Sequence, residues 1–206
     1  MKRRTFLLSA LAALGLTAMI PAPAAQAQDG RELARISAYL NSIGTLTGEF
    51  VQIDPDGLLS QGLFFMSRPG RIRFEYEEPN PALVVADGFW VGVIDKRYKK
   101  VDRYPLSETP LNLILKDRVN LAKEGAVKSI QNVDGQMRVL AQDPDHPERG
   151  SITMVFAANP LELRQWIVSD AQGGDTTVAL SDIRSDVSIK PSQFTIPEPG
   201  QIQSNR

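Results

Sequence analysis

From residue 46 to residue 183 the chain is almost entirely a succession of short segments, separated by turns, in which apolar and polar residues alternate. The clearest segment is 71–77, where Ile72, Phe74 and Tyr76 point to one face and the charged residues between them point to the other. Turns that contain Asp-Gly or Gly-Gly pairs are typical of antiparallel hairpins. The pattern predicts a meander of about ten or eleven strands, and a sheet of that size curls or closes.

The predicted strands differ in how many of their faces are apolar. They cover residues 46–53, 58–66, 71–77, 83–86, 89–95, 98–103, 126–133, 136–142, 151–157, 163–169 and 176–183. Two stretches, Leu58 to Met66 and Phe89 to Ile94, carry apolar residues on both faces, which a sheet with one face in water would not need. We therefore expect one face to pack on helices and the other to line a cavity.

Two helices are predicted beside the sheet. Four apolar residues at three- and four-residue spacing form one stripe: Leu33, Ile36, Leu40 and Ile43. They predict a helix over residues 30–43 with Asp29 as its N-cap. A second, short helix is expected to begin near Ser107, with Thr109 as the cap and Pro110 at the first helical position. This second helix is apolar on most sides, so it should rest over an apolar surface.

The first 27 residues have the features of an export signal. Basic residues at 2–4 precede an apolar run over residues 6–20, and a small-residue cleavage site ends at Ala27. The run is too short and poorly flanked for a membrane-spanning helix. Because the basic residues include paired arginines, Sec export and twin-arginine export both remain open. The mature chain is expected to be residues 28–206, a single domain in the periplasm.

The composition argues against several functional classes. The chain has no cysteine, so neither a disulfide nor a lipid-modified cysteine at the mature N-terminus is available. Its 23 basic and 24 acidic side chains give a formal net charge of −1, which argues against nucleic acid as a partner. With one histidine, His146, and no nucleophile or nucleotide motif, the sequence predicts no catalytic residue, metal site or cofactor. We do not expect an enzyme.

Basic residues are concentrated around one predicted hairpin between strands 89–95 and 98–103. They are Lys96, Arg97, Lys99, Lys100 and Arg103. One interpretation is an ordinary solvated hairpin tip. The other is a docking surface for an acidic partner or for anionic lipid headgroups.

Several short motifs, taken in their order and spacing, resemble the LolA family, the periplasmic lipoprotein carriers of Gram-negative bacteria. They are Ile36, Leu40 and Ile43; Phe50-Val51-Gln52; Gly62; Arg68-Pro69 with Ile72 and Phe74; Pro79; Val85-Ala86-Asp87-Gly88; Thr109-Pro110; Leu113-Ile114; and the run from Phe194 to Pro199. The resemblance covers nearly the whole mature chain. It implies an unclosed, mostly antiparallel half-barrel of the α+β class with a helical lid over an apolar cavity.

The resemblance also implies roles for individual residues. An arginine matching Arg68 holds the lid shut by hydrogen bonds to its backbone, whereas composition alone favours an ordinary surface arginine. Residues matching Ile72 and Phe74 contact cargo. The apolar side chains expected to line the cavity are Leu40, Phe50, Phe65, Ile72, Phe74, Trp90, Leu113 and Ile114. Where an aromatic pair is usual, this chain has Gly92-Val93, so the strand face that lines the cavity there stays open.

By this resemblance the chain is expected to be a monomeric carrier of acylated lipoproteins. It would receive them from an inner-membrane ABC exporter and deliver them to an outer-membrane acceptor lipoprotein where one is present. The alternative is a periplasmic regulator that senses lipids or lipoproteins on the same half-barrel. The acceptor itself is disfavoured, because it is normally anchored through a lipid-modified cysteine and this chain has none.

Overall fold

A computed structural model of the chain describes residues 23–122 and 125–202. Most of the predicted export signal falls on residues 1–22, which lie outside the described residues. Helix α1 spans Pro23–Ser42 and therefore begins before the predicted cleavage site at Ala27. Removal of the first 27 residues stays a prediction.

Eleven strands form one antiparallel sheet in the order β6-β5-β4-β3-β2-β1-β11-β10-β9-β8-β7. Their bounds are β1 Thr45–Ile53, β2 Leu59–Ser67, β3 Arg71–Tyr76, β4 Ala82–Asp87, β5 Trp90–Asp95, β6 Lys100–Pro105, β7 Val127–Val133, β8 Gln136–Gln142, β9 Ser151–Ala158, β10 Leu161–Ser169 and β11 Asp175–Ser185. Pairing of β1 with β11 joins two meanders, and β6 and β7 end the sheet as its two edges. The predicted half-barrel of the α+β class is confirmed.

The helices differ from the prediction at their starts. Helix α1 begins at Pro23, so Asp29 lies inside the helix and does not cap it. The second helix, α2, is only Asn112–Leu115 and follows a 3-10 turn at Leu106–Glu108. Thr109 does not cap α2, because its Oγ1 donates back to the Leu106 carbonyl at 2.9 Å. Further 3-10 turns lie at Pro147–Arg149, Pro191–Phe194 and Pro199–Gln201.

One face of the sheet, the inner face, is covered by α1 and by residues 106–122, which we call the lid. Side chains from α1, the lid and the strands form a single buried cluster. Its members include Ile36, Leu40, Phe50, Phe64, Phe74, Ile114, Leu115, Val119, Leu121, Phe156 and Trp166. Burial of this apolar area is the main stabilising contribution to the fold.

The outer face of β3–β6 has a covering of its own, residues 191–202, which we call the C-terminal strap. A second buried cluster joins strap and strands: Leu83, Val85, Ile94, Ile196 and Ile202. Arg73 Nη1 fastens the start of the strap by donating to the Gln193 carbonyl at 3.0 Å. The expectation that the second apolar face of 89–94 lines a cavity is wrong, because Ile94 on that face is packed under the strap.

Gly92 on β5 allows the strap to lie close to the sheet. A Cβ at this position would stand 2.7 Å from Ile196 Cγ2. We expect Gly92→Ala to lower the free energy of unfolding by about 1–3 kcal/mol, since it overpacks a close contact. Chemical denaturation measures the change.

The control for this prediction is the same substitution in an Ile196→Ala background, where the clashing atoms are gone. There Gly92→Ala should cost less than about 0.5 kcal/mol. Strictly additive effects of the two substitutions would contradict the proposed contact.

Candidate functional site

An aromatic cluster forms the centre of the inner face. The Phe50 and Phe74 rings meet edge to face with centroids 5.0 Å apart, and Trp166 meets Phe74 at 6.0 Å. Tyr76 closes the cluster, with its hydroxyl donating to Gln52 Oε1 at 2.6 Å. Burial raises the pKa of Tyr76 to about 12, so this hydroxyl stays neutral. The surface is mostly apolar, and the Tyr76 hydroxyl is satisfied by Gln52 at its border.

The lid fills the space over this cluster with its own side chains. Ile114 and Leu115 of α2 are buried against the inner face, as are Val119 and Leu121 farther along the lid. The four side chains occupy apolar volume that a lipid chain would need. In this structure the lid side chains therefore cover the aromatic cluster.

Helix α1 holds the distal part of the lid through two polar side chains. Asn41 Nδ2 donates to the Val119 carbonyl at 2.8 Å, and Asn41 Oδ1 accepts from the Val119 N–H at 2.9 Å. One turn earlier, Ser37 Oγ accepts from the Leu121 N–H at 3.0 Å and donates to the Leu33 carbonyl. These contacts satisfy lid backbone groups that would otherwise be buried without partners.

The proximal part of the lid is held at the turn between β2 and β3. Arg68 Nη2 donates to the Lys116 carbonyl at 2.6 Å, and the Gly70 N–H donates to the Leu115 carbonyl at 2.8 Å. Arg68 thus makes one hydrogen bond to the lid, and its Nε and Nη1 are buried without a hydrogen-bond partner. Burial lowers the pKa of Arg68, an effect that the nearby Asp117 partly opposes. The guanidinium is therefore a desolvated cation with few of its donors satisfied.

Comparison with known proteins agrees with this architecture. The family profile described as "Outer membrane lipoprotein carrier protein LolA" matches residues 41–197. The chain belongs to the LolA family. An outer-membrane lipoprotein carrier protein of Chromohalobacter salexigens is 30% identical over 201 residues, which cover 92% of this chain and 94% of that protein. One of the same name in Chromobacterium violaceum is 26% identical, with 92% of each chain covered.

A solved structure supports the fold alone. A DUF1329 family protein from Desulfovibrio piger superimposes with a TM-score of 0.51 at 13% identity, covering 85% of this chain and 98% of that one.

The structure brings together most of the side chains predicted to line the cavity of this LolA-family chain. Those that lie in the buried cluster of the inner face are Leu40, Phe50, Ile72, Phe74 and Ile114. Leu113 is half-buried and packs against the same cluster. Their role in binding cargo stays a prediction.

Two predicted cavity residues lie on the outer face instead. Phe65 stands opposite Arg73 in the strand register, one residue out of phase with the inner-face side chains. Trp90 is half-exposed and lines a groove of about 760 Å³ beside the strap, together with Arg71 and Phe194. Size and apolar character favour a place in the cavity wall for both residues. In a strand with two apolar faces, however, these properties do not reveal the face on which a side chain lies.

The basic residues of the β5–β6 hairpin do not form one uniform patch. Lys100 pairs with Asp102 at 2.8 Å, and Arg103 pairs with Glu198 of the strap at 2.7 Å. The side chains of Lys96 and Arg97 instead line a pocket of about 370 Å³ that also contains Tyr76, Glu78 and Asn80. Lys99, at φ 53°, lies in the exposed turn. The five cations therefore point to different surroundings.

Sequence reasoning missed the residues that attach the lid to α1. Ser37 and Asn41 lie in α1 outside the apolar stripe, and nothing in the sequence pairs them with the region near residue 120. Val119 and Leu121 alternate with polar residues in a stretch without regular structure, a weak signal of partial burial. Within the residues that the structure describes, no group of three metal-binding side chains comes together, and no helix has the length and hydropathy of a membrane span.

Asn41→Ala should open the distal lid, because it removes both hydrogen bonds to Val119. At about 1 kcal/mol per bond, the open population should rise roughly tenfold or more. Hydrogen exchange at the Leu121 amide, which donates to Ser37 and not to Asn41, reports this opening. Ser42→Ala is the matched control, since Ser42 bonds only to the Tyr39 carbonyl within α1. Equal exchange in both variants would mean that Asn41 does not hold the lid.

Proposed function

We propose that this LolA-family chain is a periplasmic carrier that shields the acyl chains of lipoproteins. One observation supports the proposal: an apolar inner face is covered by a lid whose own apolar side chains, such as Ile114 and Leu115, are buried against it. We propose that acyl chains take the place of these side chains. The name borne by the relatives in Chromohalobacter salexigens and Chromobacterium violaceum supports the same cargo class.

The physics of acyl chains explains why such a carrier is needed. At about 0.8 kcal/mol per methylene, exposing one long chain to water costs on the order of 10 kcal/mol. Free diffusion of an acylated protein between membranes is therefore very unfavourable. A protein interior as apolar as the acyl chain removes most of this free-energy cost. It does not require an acyl chain of one specific length.

The lid limits how tightly cargo is held. Cargo enters only where lid side chains leave, so the free energy of lid closure is subtracted from the free energy of cargo binding. A carrier with a lid can therefore shield a chain and still release it without an energy source. The closure energy has two sources: burial of lid side chains such as Ile114 and Leu115, which cargo can replace, and the few hydrogen bonds that Ser37, Asn41 and Arg68 make to the lid.

The proposal extends to the route of the cargo. An inner-membrane ABC exporter supplies lipoproteins to the monomeric mature chain, residues 28–206, and an outer-membrane acceptor receives them. Lys96, Arg97 and Lys99, whose side chains have no ion-pair partner within the described residues, are proposed as contacts for such partners. The chemistry is transfer of an intact ligand and involves no catalytic residue.

A palmitoylated peptide should displace an apolar fluorescent probe from the protein, and the same peptide without its palmitoyl group should not. The reason is that the inner face offers apolar surface and few groups for peptide recognition. Fluorescence titration measures both. Equal competition by the unlipidated peptide would show a peptide-binding module and overturn the carrier proposal.

Loosening the lid should strengthen loading and slow release. We expect Asn41→Ala and Arg68→Leu both to bind the palmitoylated peptide more tightly and to pass it more slowly to phospholipid vesicles. The effect of Arg68→Leu should be the smaller, because losing its bond to Lys116 is partly offset by removing two buried, unpaired donors. Affinity and transfer rate are measured together. Unchanged values in both variants would mean that the lid does not compete with cargo.

A further inference from the structure

The covering of the inner face is incomplete over β5 and over the edge strand β6. One cross-strand row runs in register through Phe74, Val84 and Val93. Phe74 is 6% exposed, Val84 is half-buried and Val93 is 40% exposed. Burial thus falls steadily along a single apolar row from the core to the edge of the sheet.

A second row shows the same gradient. Ile72, Ala86, Val91 and Tyr104 stand opposite one another on β3, β4, β5 and β6. The first two are fully buried, Val91 is 8% exposed and Tyr104 is 52% exposed. The first row therefore leads over two strand spacings, or about 10 Å, to Phe74 of the aromatic cluster, and the second leads over three spacings, or about 14 Å, to buried Ile72 beside it.

The opposite edge of the sheet has no equally exposed apolar surface on its inner face. On β7 the inner-face residues are Val127 and Ile130, which are half-buried and pack against the core, and Asn132, which is polar. On β6 the apolar surface ends at Asp102, whose carboxylate pairs with Lys100. The exposed part of the rows, Val93 and Tyr104, is called the apolar margin below.

We propose that the apolar margin is the landing surface on which an acyl chain first binds, before the lid moves. This inference rests on the carrier function proposed above. The margin is continuous with the interior through both rows, so a chain lying on it already touches the path that leads under the lid. Half-buried Leu113 of the lid packs against the same cluster in which both rows end.

The landing surface changes the kinetics of loading. Without it, the lid would have to expose its apolar side chains before any cargo arrived to replace them. With it, a chain that is partly shielded on Val93 and Tyr104 advances as lid side chains withdraw, so less apolar surface faces water at any one time.

The test is stopped-flow association of a fluorescent palmitoylated peptide with the full mature chain. Val93→Asn and Tyr104→Ser should each slow association about tenfold, while affinity at equilibrium changes less, because the same surface also serves departure. Val133→Asn is the matched control: Val133 is a 50% exposed valine on β7, the far edge strand, and its substitution should leave the rate unchanged. Thermal unfolding of each variant verifies that the fold is intact.

A second arm uses the lid. In an Asn41→Ala background, where the lid opens more readily, Val93→Asn should slow association less than it does alone. An undiminished effect there would place Val93 in the cavity wall and overturn its role in landing.

The outcomes separate this inference from the carrier function. Suppose that the native protein binds the palmitoylated peptide and that the Val93→Asn variant associates with it at the native rate. The apolar margin is then not a landing surface, and the carrier function stands. If the native protein does not distinguish the palmitoylated from the unlipidated peptide, both are wrong. If Val93→Asn instead converts a native dimer into a monomer at an unchanged association rate, the margin is an edge for self-association and the landing surface is overturned.

Discussion

The structure depends on the need to keep an apolar sheet face away from water. Phe50, Phe74 and Trp166 would be costly to expose, and no hydrogen bond across the two edge strands closes the barrel around them. The chain covers them with its own lid. The lid contributes apolar side chains and few polar contacts, and in the proposed carrier a ligand of similar polarity takes its place. The apolar inner face would therefore serve both functions: it stabilises the empty protein by packing against the lid, and it binds cargo in the proposed carrier.

Arg68 has few of its hydrogen-bond donors satisfied, which agrees with a surface that is proposed to hold the lid and the cargo in turn. In the closed state its guanidinium makes one bond to the lid, and two of its donors are buried without hydrogen-bond partners. Water can satisfy those donors when the lid opens, so desolvation opposes the attraction of the bond. In the proposed carrier, Arg68 would therefore orient the lid without making its closure strongly favourable. An arginine with all its donors satisfied would hold the lid more firmly and would make loading harder.

Much of the fold could be predicted from the sequence because strand alternation is a local signal. The meander, the unclosed sheet and the inner position of Ile72 and Phe74 follow from period-two patterns and from resemblance to the LolA family. Alternation does not reveal what covers each face of a strand. The prediction that Phe65 and Trp90 line the cavity is therefore wrong, because both lie on the outer face. The lid contacts of Asn41 were beyond prediction, because they join irregular backbone to a helix surface across 78 positions of sequence.

The C-terminal strap has a mechanical consequence for the cavity. It lies across the outer face of β3–β6, and Ile196 sits in the space that Gly92 leaves on β5. A sheet that is not closed by hydrogen bonds would otherwise be free to flatten, and the strap braces its bend from the outside. The curvature of β3–β6 is thus supported from the face that carries neither the lid nor α1. We expect this bend to persist when the lid side chains withdraw from the inner face.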